Sequence, residues 1–155
     1  MRIRTAAPLA LAAATALAGS LLAAAPASAA THKKGLHLGK IQYDSPGKDD
    51  RSNASLNAEW VDVHNSGKSK LQLKNYKLKD NSGHAYTFGS YTIGAGKTVR
   101  VHTGKGKNKT GHVYWNRRAY VWNNTSDKAR LIKPNGKLLV SCSWTKSNKG
   151  LKNCH

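Results

Sequence analysis

Glu59-Trp60-Val61-Asp62-Val63-His64 alternates apolar and polar side chains, and this alternation decides how the chain is read. In an extended strand successive side chains point to opposite faces, so Val61 and Val63 share one face and charge takes the other. A half-buried strand is expected. Similar short runs lie on both sides. Leu36-His37-Leu38 leads into Ile41-Gln42-Tyr43, and Leu71-Gln72-Leu73 and Tyr76-Lys77-Leu78 follow. Further runs occupy residues 84–88, 91–93, 98–102, 120–122, 128–132 and 138–144.

The connections agree with that pattern. Asp80-Asn81-Ser82-Gly83 and Pro134-Asn135-Gly136 stand between alternating runs. Asn and Gly tolerate the left-handed backbone of tight hairpins, and Pro presets the first turn residue. Beyond the first thirty residues no stretch has the three-and-four spacing of an amphipathic helix. Many short strands at close spacing predict an all-β sandwich or barrel. Two loops, 44–56 and 104–116, are longer than a hairpin needs, and long loops on a sheet scaffold tend to carry function.

Several of these segments, in order, resemble the lamin-tail domain family. They are Ile41-Gln42-Tyr43, Asn57 to Gly67, Leu73 to Asp80, Tyr86-Thr87-Phe88, Gly96 to Gly104 and Val121 to Leu131. The set spans residues 36–145 and is similar to the small exported actinobacterial branch. The resemblance implies an immunoglobulin-like β-sandwich with no catalytic residues to carry over. The coiled-coil rod of the nuclear lamins has no counterpart here, so filament assembly does not carry over either.

Residues 1–30 read as a signal peptide. Arg2 and Arg4 begin it, an apolar run covers 6–25, and Ala27-Ser28-Ala29 has the small-residue pattern of a cleavage site. The mature domain is then 31–155, secreted, with no integral membrane association after cleavage. Removing Arg2 and Arg4 from the 26 basic residues leaves 24 against 7 acidic ones, a formal net charge of +17. Few aliphatic residues accompany that charge, so the four Trp and six Tyr must supply much of the core. Cys142 and Cys154 are the only cysteines. In an exported chain the pair reads as a disulfide, worth up to about 3 kcal/mol, that pins the C-terminal tail. Two free thiols, or a metal pair completed by His155, are the other options.

A charge this large exceeds what solubility needs and predicts affinity for polyanions. Lys105, Lys107, Lys109, Arg117 and Arg118 place five cations within fourteen residues, with Tyr114 and Trp115 between them. Lysines neutralise phosphates and release counterions, and an exposed Trp115 would stack on bases or sugars. A core role competes with stacking for both aromatics. The expected partners are cell-envelope polymers such as teichoic acid, acidic polysaccharide or extracellular DNA. No cofactor and no metal are expected, and the function read from the chain is non-enzymatic binding.

Other chemistries fit less well. Gly104 to Gly111 lacks the Gly-Lys-Ser/Thr ending and following helix of a phosphate-binding loop. Asp44, Asp49 and Asp50, with Asn53, do not have EF-hand spacing. His102 and His112 flank the basic loop and, with Asp127, are the residues a small phosphodiester hydrolase would use. A structural envelope protein holding a protein partner is the remaining alternative. The triplets at Asn53, Asn108 and Asn123 match the glycosylation pattern without further support.

Overall fold

Val61 and Val63 are fully buried, and the strand that carries them is central to one of two facing sheets. The computed structural model describes residues 33–155, so the signal peptide expected at 1–30 lies outside the described residues. In chain order the elements are β1 (Leu36–Gln42), α1 (Asn53–Ala58), β2 (Trp60–Asn65), β3 (Leu71–Gln72), β4 (Lys77–Lys79) and β5 (Ala85–Thr87). β6 (Thr92–Ile93), β7 (Thr98–His102), β8 (His112–Tyr114), β9 (Ser126–Ile132), β10 (Leu138–Thr145), a 3-10 turn (Lys146–Asn148) and β11 (Leu151–Asn153) complete them.

One sheet has the order β11-β1-β2-β7-β8 and the other β10-β9-β4-β5, while β3 and β6 form a two-stranded ribbon. Every pairing is antiparallel except β7 with β8, which is parallel. This is the all-β sandwich that the alternation predicts, of the immunoglobulin-like type that the resemblance implies. The hairpin turns fall where expected, at 80–84 between β4 and β5 and at 133–137 between β9 and β10. Gly83 and Gly136 both take positive φ there, at 95° and 80°.

Leu38, Ile41, Val61, Val63, Val99 and Val101 from the first sheet meet Leu78, Ala129, Leu131 and Trp144 from the second. Aromatic rings fill the space that a thin aliphatic core leaves. Tyr43 stacks on Trp144 at 5.0 Å, Trp144 meets Trp122 at 5.7 Å, and Trp122 meets Trp115 at 5.9 Å. Tyr86 continues the series to Phe88. Offset and edge contacts at these separations add about 0.5–1.5 kcal/mol per pair beyond burial. The polar ends are satisfied as well. Trp144 Nε1 donates to the Asn123 carbonyl, and Tyr43 Oη donates to the Thr145 carbonyl and accepts from the Gly150 amide. Cys142 on β10 is bonded to Cys154 just past β11, which ties one sheet to the other.

Three elements besides a 3-10 turn at Lys146–Asn148 were not expected, and one expected strand is absent. α1 sits in the loop read as irregular, capped by the Ser52 hydroxyl on the Ser55 amide. It buries only Leu56, so it has no periodic face to detect. β8 lies inside the supposed loop 104–116, and β11 follows a short turn after β10. Residues 120–122 alternate like a strand but form a loop held through its amides by a side chain.

Trp122 is buried within the aromatic series, whereas Trp60 lies under the Arg100 guanidinium at 3.3 Å on the outer face. In urea unfolding, Trp122→Ala is expected to cost about 3–5 kcal/mol. Trp60→Ala should cost about 1 kcal/mol, the worth of a cation–π contact. Equal losses would contradict this placement.

Candidate polyanion interface

Gly104 begins the basic segment, and its lack of a side chain is required. A Cβ there would stand 2.6 Å from Asn57 Oδ1 and 2.8 Å from Asn53 Oδ1. Those two asparagines of α1 hold the loop. Asn53 Oδ1 accepts from the Lys105 amide at 2.7 Å, and the Asn53 and Asn57 side-chain amides both donate to the Lys105 carbonyl. Gly106 lies against the Tyr114 ring, where a Cβ would come within 2.4 Å. Asn108 accepts from the Tyr114 amide and Asn116 from the Gly106 amide. The segment is therefore a built surface, pinned to α1 at one end and to β8 at the other.

Three of the five expected cations converge. Lys105, Arg117 and Arg118 line a cleft of about 160 Å³ together with Arg51, Asn53 and Leu56. Arg51 is a cation that reading the sequence did not select. Its backbone and that of Asn116, the residue before Arg117, both take positive φ, at 58° and 61°. Non-glycine residues in that region cost about 1–3 kcal/mol and persist where surroundings enforce them. Lys107 and Lys109 are exposed and stand apart from the cleft, Lys109 beside Tyr91 and Thr110. Trp115 is half-buried and packs against Trp122 and Tyr86. Its ring packs on the core, which is the role that competed with stacking in the sequence.

Most of the carboxylates are taken up by hydrogen bonds within the fold, while Asp49 and Asp50 are exposed. Asp127 accepts from the amides of Asn81, Asn123 and Lys128, and Asp80 accepts from the His84 amide and ring. Asp44 accepts from Asn124, and Asp50 caps the Ser52 amide, which holds its carboxyl below the usual range. The calcium reading of Asp44, Asp49 and Asp50 finds no gathered ligand set among the described residues. Among the described residues only one Lys or Arg forms an ion pair, Arg100 with Asp62. Most of the lysines are exposed.

Glu59 is the residue that sequence reasoning missed. The alternation puts Glu59 on the face of Val61 and Val63, opposite Asp62, and it is 1% exposed. Its Oε1 accepts from Thr103 Oγ1 at 2.7 Å, the Val121 amide at 2.9 Å and the Trp122 amide at 3.2 Å. These bonds clamp both ends of the cation-bearing segment. Oε2 is buried with no partner among the described residues. Burial pushes the Glu59 carboxyl up to about 7, against the hydrogen bonds that favour its charged form.

The two histidines of the hydrolase reading do meet. His102 Nε2 lies 2.9 Å from His112 Nδ1, and His102 Nδ1 donates to the Asn57 carbonyl at 2.8 Å. Burial lowers the His102 pKa. Asp127 does not join them, since its oxygens hold the three amides named above.

The lamin tail domain family model matches residues 29–146. The chain belongs to the lamin tail domain family. Among curated proteins none matches it. The matched stretch takes in β1 to β10, so β11 and the disulfide-bonded Cys154 lie past it. Lamin tail domains are non-catalytic immunoglobulin-like modules, and this one is a β-sandwich of the binding type.

In this lamin tail domain the folded carboxyl of Glu59 is raised from 4.5 to about 7. Its stabilising share is therefore complete below about pH 4.5 and is lost as pH rises through about 7. The shift is worth roughly 3 kcal/mol. Denaturant unfolding of the wild type should weaken between pH 5 and pH 8, and Glu59→Gln should flatten that slope. Identical slopes would refute the assignment.

Proposed function

We propose that this lamin tail domain is a secreted, non-enzymatic module that holds anionic polymers through the surface built on residues 104–118. Teichoic acid, acidic polysaccharide and extracellular DNA share the repeated negative charge it would recognise. One observation carries the reading: Lys105, Arg117 and Arg118 line a single cleft with Arg51, and no acidic residue lines it. Arginine forks bind phosphate and carboxylate bidentately, which gives the cleft a geometric preference that a diffuse field lacks. Lys107 and Lys109 extend the positive surface along the same segment.

Binding is driven by counterion release, so affinity for duplex DNA falls as salt rises, with a slope of about −0.9 per phosphate neutralised. Replacing Lys105, Arg117 and Arg118 together with Ser should lower the slope by about 2–3. The same change at Lys68 and Lys70, exposed in a turn after β2, should alter it less. Affinity that is flat in salt would remove the proposal. An equal effect from the two sets would reduce it to net charge alone. Plasmid DNA incubated with the protein and a divalent metal should migrate late and intact; degraded DNA would favour the hydrolase reading.

A further inference from the structure

The outer face of the four-stranded sheet carries a stripe of cations and no carboxylate among the described residues. Alternation in β9 turns Asp127, Ala129 and Leu131 inward and leaves Lys128, Arg130 and Ile132 outside. In β4 it buries Leu78 between Lys77 and Lys79. The register sets Lys79 directly opposite Arg130, and Lys77 opposite Ile132. On the other side of β9, Ser141 stands opposite Arg130 and Ser143 opposite Lys128. Asp127 is the only acid in these four strands, and it is 4% exposed. Like charges directly opposite each other on neighbouring strands destabilise a sheet. Arg130 donates to the Asp80 carbonyl and to Asn81 Oδ1, which orient the guanidinium and leave its charge in place.

We propose that this face is a second anion site, shaped for a single extended phosphodiester chain of the poly(glycerol phosphate) kind. Its cations form a row along the strands. Lys128, then Arg130 with Lys79, then Lys77 occupy successive levels of one face, about 7 Å apart. Two residues of strand contain six backbone bonds. A glycerol phosphate repeat joined through its end carbons also has six, so its extended chain presents charges at about the same 7 Å interval. The row is two strands, or about 5 Å, wide, which suits one chain better than the paired backbones of a duplex.

The surroundings fit the same ligand. Past the end of the row lies a depression of about 240 Å³, lined by Lys77, Lys79, Ile132 and Lys133. Ser141 and Ser143 add hydroxyl donors of the kind that hold phosphate oxygens. Bases find no ring to stack on, because Tyr86 and Trp144 of these strands pack toward the core. A polyol phosphate has no bases and needs none. This face shares no residue with the segment 104–118 and does not depend on it. A domain that carries both surfaces holds two chains at once.

Calorimetric titration of the protein with a short synthetic oligo(glycerol phosphate) at low salt tests this. Two oligomers should bind per domain, and one should remain once Lys105, Arg117 and Arg118 are replaced by Ser. Adding Lys77→Ser, Lys79→Ser and Lys128→Ser should weaken that remaining binding at least tenfold. The three sheet changes alone should also raise resistance to urea at low salt, since they remove opposed like charges. Remaining binding untouched by the sheet changes, or a loss of urea resistance from them, would overturn the site. Tighter binding there of an oligodeoxythymidylate of equal charge would overturn the choice of polymer.

Discussion

A buried carboxylate that accepts three hydrogen bonds on one oxygen is the constraint on which the working surface depends. Glu59 stands just before β2, so it is set by the most deeply paired strand of the sandwich. From there it reaches Thr103, where β7 ends, and Val121 and Trp122, where the chain returns to the core. Everything between those points, including Lys105 to Arg118, is a long excursion closed by one side chain. Burying a carboxyl costs several kcal/mol unless it is compensated. Here compensation comes from two amides and a hydroxyl, and the acid is half-neutral near pH 7.

The same economy governs the other acidic residues. A chain with so large a positive excess repels itself, which weakens the compact state. Acidic side chains on the surface would relieve that repulsion. Only Asp49 and Asp50 are exposed to do so; Asp127, Asp80 and Glu59 are buried on backbone amides, and Asp62 meets an arginine. Stability comes from elsewhere: rings in series from Tyr43 to Phe88, and a disulfide that ties β10 to the tail beyond β11.

Strand alternation made the sandwich legible because the period of two survives in β2, β7, β9 and β10, where one face is buried. It failed where side chains do not set the local structure. Residues 120–122 alternate, yet their amides bond to Glu59 rather than to a neighbouring strand, and nothing local announces a partner sixty residues away. β8 hid in a glycine- and lysine-rich stretch because a three-residue strand with one buried valine carries little periodic signal. Lys105, Arg117 and Arg118 stand out in the sequence by density of charge, and the fold brings them to one cleft. Arg51 escaped because it reaches the cleft from a different loop. The sheet cations looked scattered along the chain, and only strand register brings them to one face.

Native-state hydrogen exchange at the Val121 and Trp122 amides tests the central claim most directly. If Glu59 ties the basic segment to the sandwich, these loop amides exchange in the slowest class, together with Val61 and Val63. Fast exchange at 121 and 122, with β2 still protected, would show that the segment opens on its own and that the carboxylate does not hold it.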